Sequence, residues 1–240
     1  MSENTYWKIV YKIAGIASLV FIVYSLVTMI SLMVIGGQPE TAAEGFAMLQ
    51  ENRLVGMLRL DVLTQLVVPL YYLIYLGIYA GLKQNQPGLA ALSALLAFAG
   101  VTLFLATPSV FSFMTLSERY FAAATPSQQD MYLAAGEALL AADMWHGSGA
   151  LIGGFLQLVA GLLFSWMMVQ SQYFSKVTAN VGILTFGFDL IHILVGVFAP
   201  QAGMIFMMVA GPLYLVWFPL LARDFFRLVR ASDTASRPQV

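Results

Sequence analysis

Long apolar segments alternate with short polar ones along the whole chain. Six of these segments have about 20 residues, the length a helix needs to cross a bilayer core of roughly 30 Å. None shows the strand-like alternation of polar and apolar side chains, which favours helices over a β-barrel. The predicted spans are Ile13–Ile35, Leu60–Leu82, Leu89–Met114, Gly147–Val169, Val177–Phe198 and Met204–Ala222.

Two of the connecting segments carry helix signals of their own. The first, residues 38–59, begins near Pro39 and places Phe46 among polar residues, as in a short amphipathic helix. In the second, Thr125 is a favourable N-cap and Pro126 suits the first helical position, so we expect a helix that continues into the fourth span. The sequence therefore predicts an all-α polytopic transmembrane bundle of six helices with two interfacial helices on the outer side.

Little chain remains outside these spans. We expect a single six-helix transmembrane domain over residues 1–230 and a cytoplasmic tail over residues 231–240. The tails and loops are too small for a soluble catalytic domain, and neither a Walker-type loop nor a Gly-x-Gly-x-x-Gly loop is present.

The few charged residues, 10% of the chain against 60% apolar, indicate the orientation. With six spans, eight basic residues fall on one side: Lys8, Lys12, Lys83, Lys176, Arg223, Arg227, Arg230 and Arg237. The other side has only Arg53, Arg59 and Arg119. The positive-inside rule then predicts a multi-pass membrane protein with both termini cytoplasmic. The first apolar run exceeds the 7–15 residues of a signal-peptide core, so we interpret it as a retained span.

The composition excludes several classes of chemistry. The chain has no cysteine, which excludes disulfides, thiol catalysis and cysteine-ligated metals. A net charge of −1 gives no general attraction to nucleic acid. Membrane lipid is the expected partner, and a membrane protein complex or a homo-oligomer remains open.

Asp189 and His192 are conspicuous because they lie inside the fifth span. At spacing i, i+3 they share a helix face. Counting 1.5 Å per residue from Lys176 places them about 20 and 24 Å into the membrane, in its outer half. A charged carboxylate there costs about 2.5–3.5 kcal/mol, so it must be protonated, paired or exposed to water. The pair is either a proton-titrating or metal-ligating site, or a structural link to a neighbouring span.

The same spacing recurs at Asp143 and His146, and the chain has only these two histidines. Together the two pairs could ligate zinc or another transition metal, and a bis-histidine haem is a further alternative. The simpler interpretation of the second pair is an interfacial pair, with Trp145 as an anchor at the membrane surface.

The start of the second span adds Arg59 and Asp61. Arg59 or Arg53 could be the counter-ion of a buried acid, although ordinary interface chemistry explains them equally well. Asp61 and the two Asp-x-x-His pairs all fall toward the outer leaflet. The inner half of the membrane is therefore expected to contain almost no polar groups. This distribution predicts a polar cavity open to the outer leaflet.

Several soft motifs together resemble a known family. They are the short cytoplasmic start, the Glu51–Leu54 stretch, the alanine-rich helix Tyr132–Ala142 and the glycine-rich segment Gly147–Gly161. With these features, which cover most of its length, the chain resembles a bacterial family of six-span integral membrane proteins of unknown function. The resemblance implies the fold and the location, but no activity.

A weaker likeness is to the ceramidase-like intramembrane hydrolases, in which three histidines, an aspartate and a serine surround zinc. Ser148 lies near His146, but the third histidine is missing. Asp143 or Asp189 would have to replace it as a ligand.

Three functional hypotheses follow. The first is a non-enzymatic protein whose outer-leaflet cavity binds a lipid or small amphiphile or docks to a membrane partner complex. The second is an intramembrane metal-dependent hydrolase that uses Asp143, His146, Asp189 and His192. The third is a proton-coupled transporter with Asp189 as carrier, which the apolar inner half disfavours. Whether the chain is an enzyme stays open.

Overall fold

The computed structural model describes residues 3–107, 110–143 and 147–235. Within these residues helices are the only regular secondary structure, which confirms the predicted all-α class. They are α1 (Glu3–Ile35), α2 (Ala42–Glu51), α3 (Arg53–Arg59), α4 (Val62–Val67), α5 (Leu70–Leu82), α6 (Pro87–Leu105), α7 (Val110–Ala122), α8 (Pro126–Ala141), α9 (Ser148–Gln170), α10 (Lys176–Gly196) and α11 (Pro200–Ala235).

Five helical segments of the described chain are long and apolar enough to cross a membrane. They are Trp7–Ile35, Ser148–Gln170, Lys176–Gly196, Pro200–Asp233 and the stretch Pro87–Ala122, whose described helices are α6 and α7. Their outer faces carry exposed apolar side chains, such as Ile9, Ile16, Val23 and Ile30 on α1. Long helices with such faces suit a multi-pass membrane protein, because lipid is the solvent in which they are favourable.

The prediction of one continuous helix over Leu60–Leu82 is wrong. Asp61 has a left-handed conformation with φ of 57° and caps α4, which ends at Val67. Pro69 then precedes α5 and has no N–H to donate to the preceding turn. The 13 residues of α5 span about 20 Å, less than the thickness of the bilayer core.

The chain divides into two compact units. Unit 1 comprises Met1–Val23, Pro69–Thr102 and Gly153–Val240, and unit 2 comprises Tyr24–Val68 and Leu103–Ile152. Each unit has its own set of packed helices and is described separately.

Unit 2 is built around a small cluster on α2 and α7. Its buried members are Ala42, Phe46, Leu49 and Phe113. Helix α8 approaches α2 closely at Gly136, where an added Cβ would lie 2.7 Å from the Phe46 ring. The amphipathic segment 38–59 and the helix after Thr125 are therefore both confirmed as helices.

Side-chain caps fix the ends of these helices. Thr125 accepts a hydrogen bond from the Gln128 N–H, as its sequence context predicts. Asn52 separates α2 from α3 by capping the latter. The expected continuation of the second helix into the fourth span is wrong, because α8 ends at Ala141 and α9 begins at Ser148.

Aromatic side chains fill the core of unit 1. Phe218 of α11 is central: its ring centroid lies 4.9 Å from Phe21, 5.2 Å from Trp217 and 5.9 Å from Tyr214. Tyr75 of α5 is almost fully buried, at 1% exposure. This core surrounds the segment of α10 that carries Asp189.

Candidate functional site

Asp189 and His192 lie on the face of α10 that packs against α11. Both side chains are half-buried. The 3.6-residue period of the helix places them one turn apart, about 4.5 Å along its axis. The shared face predicted from their spacing is therefore present, and α11 supplies the neighbouring groups.

The Asp189 carboxyl is anchored by a tyrosine. The Tyr214 hydroxyl donates a hydrogen bond of 2.7 Å to Asp189 Oδ2. The other oxygen, Oδ1, makes no hydrogen bond within the described part of the chain. Oδ2 of Asp189 is thus used to link α10 to α11, and Oδ1 remains available to accept a hydrogen bond from another donor.

His192 is anchored in a similar way by the backbone of α11. Its Nδ1 lies 3.1 Å from the Gly203 carbonyl oxygen. A carbonyl only accepts, so this contact assigns the hydrogen to Nδ1 and leaves Nε2 as an acceptor in the neutral ring. Gly203 is required for this approach, because an added Cβ would lie 2.7 Å from Gly196 Cα.

Aromatic rings surround the Asp189–Tyr214 contact. The Phe186 ring lies 5.8 Å from that of Tyr214, and the Tyr75 ring lies 5.5 Å from that of Tyr71. Tyr75 is thus packed in the core of unit 1. A polar group in such surroundings interacts strongly with any partner, because the local dielectric constant is low.

The second predicted pair is only partly described. Asp143 is half-buried just beyond the end of α8, and its backbone carbonyl accepts from the Gly147 N–H at 2.9 Å. His146 and Trp145 lie outside the described residues. Asp143 belongs to unit 2, whereas Asp189 and His192 belong to unit 1.

The predicted outer-boundary charges have other partners than expected. Arg59 donates to the Gly37 carbonyl at 2.6 Å and to Glu44 Oε1 at 3.0 Å. Arg53 pairs with Glu118 at 3.0 Å, where both side chains are well exposed. Neither arginine is therefore the counter-ion of a buried aspartate, and the two pairs are consistent with ordinary surface chemistry.

Asp61 is buried and has a local structural role. Its Oδ2 accepts from the Thr64 hydroxyl at 2.7 Å, and its Oδ1 accepts from the Thr64 N–H at 3.3 Å. Thr64 in turn shares a hydrogen bond with the Tyr24 hydroxyl. These contacts cap α4 and connect it to α1 within unit 2.

A metal site would need several converging ligands. No group of three or more His, Cys, Asp or Glu residues in the described ranges could hold a metal ion. His146 falls outside those ranges, so the four-residue metal hypothesis stays a prediction.

A buried carboxylate in unit 1 was missed by the sequence analysis. Asp224 of α11 is fully buried, and its Oδ2 accepts from the Ser175 N–H at 2.8 Å and the Thr178 hydroxyl at 2.6 Å. Arg223 and Arg227 lie 3.4 and 3.7 Å from Oδ1. Asp224 therefore fixes the start of α10 onto α11.

Asp224 was overlooked because Arg223 and Arg227 flank it, as in a charged segment outside the membrane. A helical count would have helped, since Ala222, Phe225 and the neighbouring apolar residues continue the buried face of the last span.

Unit 2 has a small cleft of ≈ 70 Å³, lined by Leu49, Gln50, Arg53, Met114, Ser117 and Glu118. Its volume is far below the several hundred Å³ of sites for drug-sized ligands.

Comparisons with family models, curated proteins and solved structures find no match to this chain.

Proposed function

We propose that the chain is a six-pass protein of a bacterial inner membrane with both termini in the cytoplasm. The uneven distribution of lysine and arginine supports this orientation. The second pass would run through the predicted range Leu60–Leu82. The resemblance to six-span bacterial membrane proteins of unknown function also favours this location.

Cysteine labelling tests the topology directly, because the chain has no native cysteine. Asn85→Cys lies in the exposed connection before α6, and Ser127→Cys lies in the exposed first turn of α8. In intact spheroplasts, a membrane-impermeant maleimide is expected to label Ser127→Cys and to reach Asn85→Cys only after lysis. The opposite order, or labelling of both in intact cells, would contradict the proposed orientation.

We further propose a non-enzymatic role in which Asp189 and His192 bind the polar headgroup of a lipid or small amphiphile. One observation carries this proposal: each residue uses one polar atom to contact α11 and keeps one acceptor. The two acceptors are Asp189 Oδ1 and His192 Nε2, on one half-buried helix face. Such a pair suits a headgroup with two donors, for example an ammonium group or vicinal hydroxyls.

The anchoring contacts also favour binding. Tyr214 and Gly203 hold the two side chains before any ligand arrives, so little conformational freedom is lost on binding. The aromatic rings nearby form an apolar surface next to these acceptors, and the apolar part of an amphiphile requires such a surface.

The test compares lipids that remain bound after gentle purification. Asp189→Asn keeps the shape but places an NH2 donor where Oδ1 accepts, because Tyr214 holds the amide oxygen. Native mass spectrometry is expected to show loss of the retained lipid in Asp189→Asn and a reduction in His192→Gln. Asp233→Asn is the matched control, since Asp233 is half-exposed and pairs with Lys8.

An unchanged lipid set in Asp189→Asn would rule out this binding role. A protein that co-purifies with the wild type and is lost from Asp189→Asn, with lipids unchanged, would identify a partner complex as the occupant instead.

A further inference from the structure

The face of α10 that carries Asp189 and His192 continues toward the start of the helix with polar and small residues. Thr178, Gly182, Thr185, Asp189 and His192 follow one another at intervals of four, three, four and three residues, which places them on one face. We call these five residues the α10 polar face. Thr178, Gly182 and Thr185 are buried and the last two are half-buried, whereas the opposite side exposes Val177, Leu184, Ile191 and Leu194.

One end of the α10 polar face has a complete hydrogen-bond network. The Thr178 hydroxyl donates to Asp224 Oδ2 at 2.6 Å and lies 2.8 Å from the Ser175 hydroxyl. Arg223 also donates to the Ser175 hydroxyl at 3.0 Å, and its guanidinium is more than half exposed. This end therefore connects a buried hydroxyl to groups in contact with solvent.

The middle of the face has polar atoms without partners. Ser165 Oγ and Trp217 Nε1 are buried and make no hydrogen bond to any described residue. Both lie against Gly182, where an added Cβ would be closer than 3.0 Å to either atom. Unpaired buried polar atoms of this kind usually mark a position for an ordered water molecule.

The spacing of the face suits a chain of water molecules. Successive turns of an α-helix rise by about 5.4 Å, close to the length of two consecutive O–H···O hydrogen bonds of about 2.7 Å. One water molecule per turn would thus connect the Thr178, Ser165 and Thr185 hydroxyls to the Asp189 carboxyl. The face rises about 21 Å from Thr178 to His192, most of the thickness of a bilayer core.

We propose that the α10 polar face is a proton path across unit 1. A proton binds the Asp189 carboxylate from the His192 side, and Asp189 then gives it to the hydroxyl and water chain. Each hydroxyl oxygen accepts one proton and releases the one it carried, for which Thr185 turns its hydrogen away from the Val181 carbonyl 2.7 Å away. One proton leaves at the Thr178–Ser175 end, and rotation of the hydroxyls and water molecules then restores the starting state. Trp217 Nε1 only donates, so it orients a water molecule without relaying a proton.

The charged and titratable neighbours define the two ends. Asp189 is faced by His192 on its own helix, by Tyr214 on α11 and by Tyr75 on α5. At the other end, Arg223 and Arg227 lie beside Asp224. The proposal goes beyond headgroup binding and does not depend on it.

Proton flux into liposomes tests the path. The full chain is reconstituted with pyranine inside, and a potassium gradient with valinomycin drives protons inward. The wild type is expected to acidify the lumen faster than protein-free liposomes, and Asp189→Asn is expected to return the rate to the protein-free level.

Ser165→Ala provides the sharper variant, because Ser165 lies beside Gly182 and makes no hydrogen bond within the described residues. Loss of its bridging hydrogen bonds, at roughly 1–2 kcal/mol, is expected to slow the flux about tenfold. Ser93→Ala is the matched control: this serine is also fully buried but lies on α6 and donates to the Leu89 carbonyl.

Three results would overturn the proposal. They are a wild-type rate equal to that of protein-free liposomes, an unchanged rate in Ser165→Ala, or an equal loss in Ser93→Ala and Ser165→Ala. If Asp189→Asn fails to give monodisperse protein, the comparison of the two serine variants alone decides.

Discussion

Asp189 and Asp224 are both carboxylates of unit 1, yet they are held by very different partners. Asp224 accepts from a backbone N–H and a hydroxyl and lies near two guanidinium groups. Asp189 has a single hydrogen bond, from the Tyr214 hydroxyl. The first is a structural carboxyl group whose two oxygens both have partners, whereas the second keeps an oxygen for a ligand or a proton.

Tyr214→Phe should therefore destabilise unit 1. It removes the one donor to Asp189, and a lost hydrogen bond in the core lowers the free energy of unfolding by about 1–2 kcal/mol. Thermal unfolding in detergent measures the change. Tyr72→Phe is the control, since the Tyr72 hydroxyl pairs with Thr102 in an exposed position; an equal loss in both variants would contradict a special role for the Asp189 contact.

Asp224→Ala should cost more than Tyr214→Phe. It leaves the Ser175 N–H and the Thr178 hydroxyl without an acceptor, at about 1–3 kcal/mol for each buried group. The exposed Arg223 and Arg227 side chains can turn to water and add little. Asp233→Ala breaks the exposed pair with Lys8, worth about 0–1 kcal/mol, so the same unfolding assay should separate the two variants clearly.

At the scale of elements, apolar length alone predicted the spans well where no backbone break intervened. Helices α1, α9 and α10 lie close to their predicted ranges. The second span was mispredicted because Asp61 adopts a left-handed conformation and Pro69 removes a donor, and an apolar count does not register either effect. A buried polar residue that caps a helix looks the same in sequence as one that binds a ligand.

The close packing of α10 can be tested at Gly182. In Gly182→Ala the new Cβ would lie 2.7 Å from Trp217 Nε1 and also clash with Ser165, so repacking should cost about 1–3 kcal/mol. Gly88→Ala, near the start of α6, meets no atom within 4 Å and no proline follows it, so it should stabilise its helix by up to about 0.5–1 kcal/mol. A change of the unfolding temperature in the same direction for both substitutions would contradict the proposed contact.

At the scale of the molecule, the site was predictable only as far as the spacing within a single helix reaches. The Asp189–His192 face followed from a spacing of three residues within one helix. Its partners, Tyr214 and Gly203, lie on the next helix, 25 residues from Asp189 and 11 residues from His192, and no motif in the chain marks them. The polar face was hidden for a related reason, since Thr178, Gly182 and Thr185 are ordinary residues of transmembrane helices until Asp224, Ser165 and Trp217 are placed beside them.

Separate cores predict separate responses to a core mutation. Phe46→Ala removes a fully buried ring from unit 2 at a cost of about 3–5 kcal/mol. Hydrogen exchange should then quicken in α2, α7 and α8 while the amides of α10 keep their protection. An equal increase in α10 would show that the two units unfold as one.

The pairing of α1 with α11 has a consequence for biosynthesis. Tyr11 and Phe21 stack on Phe225 and Phe218, and Lys8 pairs with Asp233. These partners are separated by nearly the whole chain, so at 5–20 residues per second the ribosome makes them roughly 10–40 s apart. Throughout that interval the first helix must be held by lipid or by the insertion machinery, and the aromatic core of unit 1 closes only when the last helix enters the bilayer.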